Sequence, residues 1–343
     1  MSAGEKQLTP PSRREFIKQG GLALMALSLP FDLTKLSKPN KMTDNKHFDV
    51  IIIGGNYSGL AAGMALGRAL RQVLIIDSGK PCNEQTPYSH NFITQDGNTP
   101  KEIATLAKMQ VEKYDTIEFF NGLATTGTKA ENGFDIQTAS GETFSAKKLI
   151  FATGIRDIMQ SIDGYAECWG ISILHCPYCH GYEVRNVRTG ILGNGEYGFE
   201  FATLISNWTK DLTLFTNGAA ALTIEQTAKL ESRHIKFVET AIEKLEHTDG
   251  HLQKIIFKDG TITPIKVLYA RSPFEQHCTI PETLGCELTD DGYLKVDALQ
   301  KTTVYGVFAC GDNSTRMRTV ANAVGTCTTT GMMVNKEIVF EEF

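Results

Sequence analysis

The sequence predicts an α/β protein made of two three-layer, Rossmann-like dinucleotide-binding domains, the second inserted in the first. Three observations predict it. The apolar run Asp49-Val50-Ile51-Ile52-Ile53 enters the turn Gly54-Gly55-Asn56-Tyr57-Ser58-Gly59, then a helical stretch from Leu60 to Leu70 and a second apolar run from Val73 to Ile76. Short apolar runs flanking a glycine turn and a helical stretch form the pattern of a βαβ unit in a parallel sheet. The layout returns at Thr189-Gly190-Ile191-Leu192, Gly193-Asn194-Gly195-Glu196-Tyr197-Gly198, a helix through Trp208, and a strand from Leu212 to Phe215. Gly54 and Asp77 are 23 positions apart, as are Gly193 and Thr216, so two similar nucleotide-binding units follow one another. The stretch from Thr302 to Asp312 supplies a late strand that completes the first sheet and splits the first domain around the second. The expected limits are 1–41 for a leader and linker, 45–157 with 272–343 for the first domain, and 158–271 for the inserted one.

Composition narrows the function classes. With 343 residues, 41% hydrophobic and 21% charged, the chain can bury the cores of about two domains. A net charge of -5 and the lack of a basic run exclude a nucleic-acid footprint. Eight cysteines are too few for a disulfide scaffold. Only Cys176 and Cys179 have motif spacing; Cys168, Cys278, Cys286, Cys310 and Cys327 are expected in core packing. Near the N-terminus, Ser12-Arg13-Arg14-Glu15-Phe16-Ile17-Lys18 precedes an apolar stretch from Gly21 to Leu29. This has the form of a twin-arginine export signal, and the stretch is about half of the ~20 residues that cross a bilayer. Export to the periplasm with the cofactor already bound is the expectation. An ordinary basic N-terminus, or a start at Met42 giving a cytoplasmic chain, stands beside it.

The first glycine turn carries binding chemistry. Gly54 permits the tight turn, Gly59 lets helix and strand pack closely, and backbone N–H groups where Asn56, Tyr57 and Ser58 open the helix suit a pyrophosphate. Asn56 stands where glycine is usual. Asp77, ending the second strand, is placed to accept from a ribose. With Leu149-Ile150-Phe151-Ala152-Thr153-Gly154 and the Thr302 to Asp312 stretch, the chain resembles the pyridine-nucleotide-disulfide oxidoreductase superfamily. The resemblance implies bound FAD, with Thr153 and Gly154 closing the flavin domain and Gly311 and Asp312 at the ribityl chain and pyrophosphate. It also implies a last helix opening at Arg318, Thr319 and Val320 toward the isoalloxazine ring. Asn83 and Asn91 fall in the stretch expected to pass beside the flavin.

Within that superfamily the chain is similar to the small thioredoxin reductases over residues 47 to 340, which carry a Cys-x-x-Cys just before the second glycine fingerprint. Cys176 and Cys179 then form the working disulfide, with Cys179 expected nearest the flavin. The spacing suits two-electron chemistry, since one thiolate can attack or leave while the other waits. His175-Cys176-x-x-Cys179-His180 also offers four zinc donors, but adjacent residues rarely converge on one tetrahedral ion.

Two departures from thioredoxin reductases matter. His180 replaces the usual Asp after the second cysteine and His175 precedes the first; the arrangement resembles fungal oxidases that close disulfides in epidithiol metabolites and pass electrons from FAD to oxygen. Both histidines are candidates for acid and base work, and a protonated imidazole there would favour thiolate. The second departure is Thr216-Asn217-Gly218, where His-Arg-Arg would grip the 2′-phosphate of NADPH. Gly193, Gly195 and Gly198 persist, as a weak NAD(P)H site or as a packing element. The expected activity is oxidation of a dithiol, small or thioredoxin-like, with oxygen or another acceptor. An NAD(P)H-dependent thioredoxin reductase and a non-enzymatic flavin- or metal-binding protein are the alternatives. The resemblance also implies a homodimer.

Overall fold

The computed structural model describes residues 47–343. The twin-arginine-like segment and Met42 lie outside the described residues.

The first sheet is built from β1 (His47–Ile53), β2 (Val73–Asp77), β3 (Ile117–Asn121), β4 (Ala124–Ala130), β5 (Gly133–Thr138), β6 (Thr143–Phe151) and β17 (Val307–Ala309). Its order is β3-β2-β1-β6-β5-β4, with β17 paired to β6. The first half of β6 pairs antiparallel with β5, and its last three residues pair parallel with β17. The late strand therefore joins the first sheet, as the sequence predicts. Strand alternation divides the apolar residues between two cores: Ile51, Ile53, Leu74 and Ile76 on one face, Val50, Ile52, Val73 and Ile75 on the other.

The second face is covered by α1 (Tyr57–Arg68) and the 23-residue α8 (Val320–Glu342). These helices approach closely because their contact uses small residues. A Cβ on Gly331 would lie 2.7 Å from the Ala62 carbonyl oxygen. Helix α2 (Pro100–Val111) starts at a capping box, in which Thr99 accepts from the Glu102 N–H and the Glu102 side chain accepts from that of Thr99.

The second sheet runs β11-β10-β9-β15-β8, all parallel. Its strands are β8 (Ile173–Leu174), β9 (Thr189–Leu192), β10 (Leu212–Phe215), β11 (Lys236–Val238) and β15 (Val267–Ala270). Around it lie α3 (Tyr165–Cys168), α4 (Pro177–His180), α5 (Gly195–Ile205) and α6 (Ile224–Ser232). An antiparallel sheet of β12 (Ile242–Thr248), β13 (His251–Phe257) and β14 (Ile262–Pro264) packs against one face. The chain passes between the first and second sheets along β7 (Ile155–Asp157) and β16 (Phe274–Gln276), which pair antiparallel. Helix α7 (Ile280–Thr283) then returns to the first core. Among the described residues no helix is long and apolar enough to cross a membrane.

Candidate functional site

A cavity of about 570 Å³ opens at the C-terminal ends of β1, β2 and β6, where parallel sheets place ligands. Gly54, at φ +102°, turns the chain so tightly that a Cβ there would collide with the Ala152 carbonyl. Gly59 packs against the carbonyl of Gly54, leaving no room for a side chain. The first turns of α1 therefore face the cavity through Asn56, Tyr57 and Ser58. Asp77 lines it too, and its Oδ1 accepts the Gly55 N–H at 3.0 Å. Asn83 donates to the Tyr57 hydroxyl at 3.3 Å, which in turn donates to the Pro100 carbonyl at 3.0 Å.

Thr153 and Gly154 close the cavity below β6, while Asp312, Arg318, Thr319 and Val320 close it from the start of α8. Gly311, at φ +82°, is beside this lining; a Cβ there would strike the Ser58 hydroxyl. Asn313 is fully buried and ties the two walls together, donating to the Phe151 carbonyl at 2.8 Å and the Thr153 hydroxyl at 3.3 Å. Thr319 caps α8 by accepting the Asn322 N–H.

One expectation about this region needs correction, and another gains a partner. Asn91 does not reach the cavity: it is exposed, with φ +59°, and its N–H is taken by Asp96 Oδ1 at 2.7 Å in a tight surface turn. Arg318 lines the cavity, but its guanidinium is clamped in a two-point ion pair with Asp157, at 2.9 and 2.8 Å, and lies 3.7 Å from Asp312. Asp157 was not legible as a site residue, because its partner is 161 positions away.

Cys176 and Cys179 form a disulfide. Cys176 caps the short helix α4, its Sγ accepting the Cys179 N–H at 3.2 Å. Tyr178 is exposed between them, edge-on to Trp208. His175 stacks on Trp169 and lines the cavity, so the disulfide segment meets the proposed flavin site through His175, while Cys176 and Cys179 lie outside the cavity lining. Burial, reinforced by Arg318, pulls His175 down to about 3. Burial, reinforced by His90, also lowers His180. Both rings are therefore held toward the neutral form, in place of the imidazolium expected beside the thiolate. Cys82, an exposed free cysteine, reaches the cavity as well.

Cys310 and Cys327 also differ from expectation. Both are fully buried, and they are joined by a disulfide rather than packed as thiols. Cys168, Cys278 and Cys286 are free and at least partly buried. Among the described residues no group of three or more His, Cys, Asp or Glu side chains is arranged to hold a metal ion.

In the second domain Gly193, Gly195 and Gly198 make the predicted turn into α5, but the turn is already satisfied from within. The Asn194 Oδ1 accepts the N–H groups of Gly195 and Ala221, each at 2.8 Å, and its Nδ2 donates to the Ala219 carbonyl at 2.9 Å. The loop after β10 is thus tied across the glycine turn.

The first cavity fits FAD on its own chemistry. Besides the glycine cradle, Asn56 Oδ1 and Asn83 Oδ1 are buried without a protein partner, and buried polar atoms normally find one. Residues 48–326 match the model of the pyridine nucleotide-disulphide oxidoreductase family. The chain belongs to that family. It is 32% identical to a thioredoxin reductase of Claviceps purpurea over 314 residues, which are 87% of this chain and 96% of the relative. It is 28% identical to a thioredoxin reductase of Aspergillus oryzae, over 86% and 98% of the two chains. The crystal structure of an oxidoreductase from Agrobacterium tumefaciens superposes with a TM-score of 0.81 at 33% identity, covering 86% of this chain and 99% of the other. As a member of the family, the chain is an FAD-dependent oxidoreductase acting on sulfur groups, with Cys176 and Cys179 cycling between disulfide and dithiol.

Proposed function

We propose that the chain works as a dithiol oxidase. A substrate gives up two thiol protons and one electron pair as its own S–S bond forms, the Cys176–Cys179 disulfide opens to the dithiol, and oxygen or another acceptor finally takes the electrons. Bound FAD supplies the two-electron link between the cysteine pair and that acceptor. The observation that carries this direction is the closed glycine turn of the second domain. A nicotinamide dinucleotide needs the free N–H groups at that turn for its pyrophosphate, whereas Asn194 already occupies the Gly195 N–H and fastens the 219–221 loop over it. The loop that would grip a 2′-phosphate carries Thr216, Asn217 and Gly218, with no guanidinium. The place of His180 directly after Cys179 adds support, because thiol oxidation needs a base near the disulfide.

Anaerobic titration of the purified yellow protein tests the direction. Dithiothreitol is expected to bleach the oxidised flavin absorbance and air to restore it, while NADH and NADPH leave it unchanged. Rapid bleaching by either nicotinamide would instead establish the second reading, a reductase passing electrons to a thioredoxin-like protein. That reading draws on the persistence of Gly193, Gly195 and Gly198 and on the names of the relatives.

A further inference from the structure

Oxidising a dithiol releases protons in a site that burial protects from water, so a base there must be oriented and then emptied. His180 follows Cys179 directly and is only partly exposed. Its ring does not face solvent alone. His90, from the long loop between β2 and α2, meets it edge to face, with ring centres 6.4 Å apart and planes at 89°. His90 is itself held in a built turn. The flanking Ser89 N–H donates to the Asn98 carbonyl, the Gly97 N–H donates back to Ser89, and Asp96 takes the Asn91 N–H. Its Nδ1 lies 3.7 Å from Asp96 Oδ1 and 3.7 Å from Glu183 Oε1. Exposure rises along this series: the His90 side chain is 18% exposed, Glu183 41% and Asp96 65%. One ring of the series borders the disulfide helix, the next is mostly covered, and the two carboxylates are in water.

We propose that His90 is a positioning residue for thiol oxidation, orienting the ring of His180 and, by way of bridging water, passing its proton to the solvent-exposed carboxylates of Glu183 and Asp96. The proposal rests on the dithiol-oxidase reading and extends it. In the first step a substrate thiol gives its proton to His180, and its sulfur attacks one sulfur of the Cys176–Cys179 disulfide. That S–S bond breaks, its electron pair leaving on the other cysteine as thiolate. The second substrate thiol then attacks the mixed disulfide, closing the substrate S–S bond and freeing the second cysteine. Two electrons end on the cysteine pair. Two protons must be cleared or placed on it, and His180 must return to neutrality before each turnover. Among the described residues, the ionisable groups that face His90 are Asp96 on its own loop, and His180 and Glu183 from the segment around α4.

The test compares wild type with His90→Gln in air, using dithiothreitol as the probe. Relative to wild type, His90→Gln is expected to lose about tenfold or more in kcat with KM within about twofold, since lost proton transfer acts on the chemical step and not on binding. The acid limb of the kcat profile should also move to higher pH, because His90 helps hold His180 toward its neutral form. Flavin absorbance should be unchanged. A variant with wild-type kcat and an unmoved acid limb overturns the proposal, and so does a loss confined to KM. If His90→Gln loses flavin or fails to fold, the surface pair Asp96→Asn with Glu183→Gln decides: a lower kcat with KM kept supports the route, and an unaltered kcat overturns it. A wild-type protein that does not oxidise dithiothreitol at all would instead remove the dithiol-oxidase reading beneath it.

Discussion

Arg318 is the residue on which the flavin cavity turns. Only 15% of its side chain is exposed, and Asp157 meets it with 7%, so each charge depends on the other for solvation. Removing one partner of such a buried pair costs about 3–5 kcal/mol, because the survivor stays desolvated without compensation. Asp312 at 3.7 Å moderates this, so the lower end of the range applies to Asp157→Ala. The expected result is a loss of about 3 kcal/mol in stability together with release of flavin on dilution, read by denaturant unfolding and by filtrate fluorescence. Full stability would mean that the pair contributes nothing net. Arg318 was legible as a cavity residue from its place before the last helix, but its partner was not. Asp157 sits on a three-residue strand, and nothing local in Ile155-Arg156-Asp157 marks it as a cavity wall. Asn91 failed in the opposite sense: it follows a motif-like stretch, yet its left-handed backbone turns it to solvent.

At the scale of elements, the Cys310–Cys327 disulfide joins the residue after β17 to the second turn of α8, the helix that carries the cavity residues Val320 and Ala323. Closing a loop of this size stabilises the fold by about 3 kcal/mol in the chain-entropy account, chiefly by restricting the unfolded chain. Alkylation of the unfolded, unreduced protein should therefore modify Cys82, Cys168, Cys278 and Cys286 and spare the other four cysteines. Cys327→Ala should melt several degrees lower. Six modified cysteines would show that this bond does not form. The glycine turns and the flanking apolar runs could be read directly from the sequence because each places a local demand on the backbone: Gly54 at positive φ, Gly59 against a carbonyl. The second disulfide lacked such a local mark, since its cysteines are 17 positions apart, one just after a strand and one in a helix. Asn194 could be read as part of a fingerprint but not as its plug, because the plug needs the 219–221 loop to fold back over it.

Over the whole molecule, the two histidines that flank the redox disulfide tie function to stability. His175 and His180 both titrate below the ordinary 6.5 in the folded chain, His175 at about 3, because burial disfavours their charged forms. Below pH 6.5 the unfolded chain thus binds more protons than the folded one, so stability must fall as pH falls through that window and is fully present above it. Asp312 works the other way. Burial raises its carboxyl, so the folded chain keeps that proton longer and the stabilisation it gives is lost as pH rises above the ordinary carboxylate range. The histidine effect is therefore cleanest between about pH 5 and 6.5, above most carboxylate titration. The melting midpoint followed by circular dichroism should drop steadily across that interval. His175→Phe, which keeps an aromatic ring against Trp169 without a titrating group, should flatten the slope. An equal slope in the variant would place the acid sensitivity elsewhere. A neutral imidazole at the disulfide is what thiol oxidation requires, and the same burial that secures it leaves the fold progressively weaker in acid.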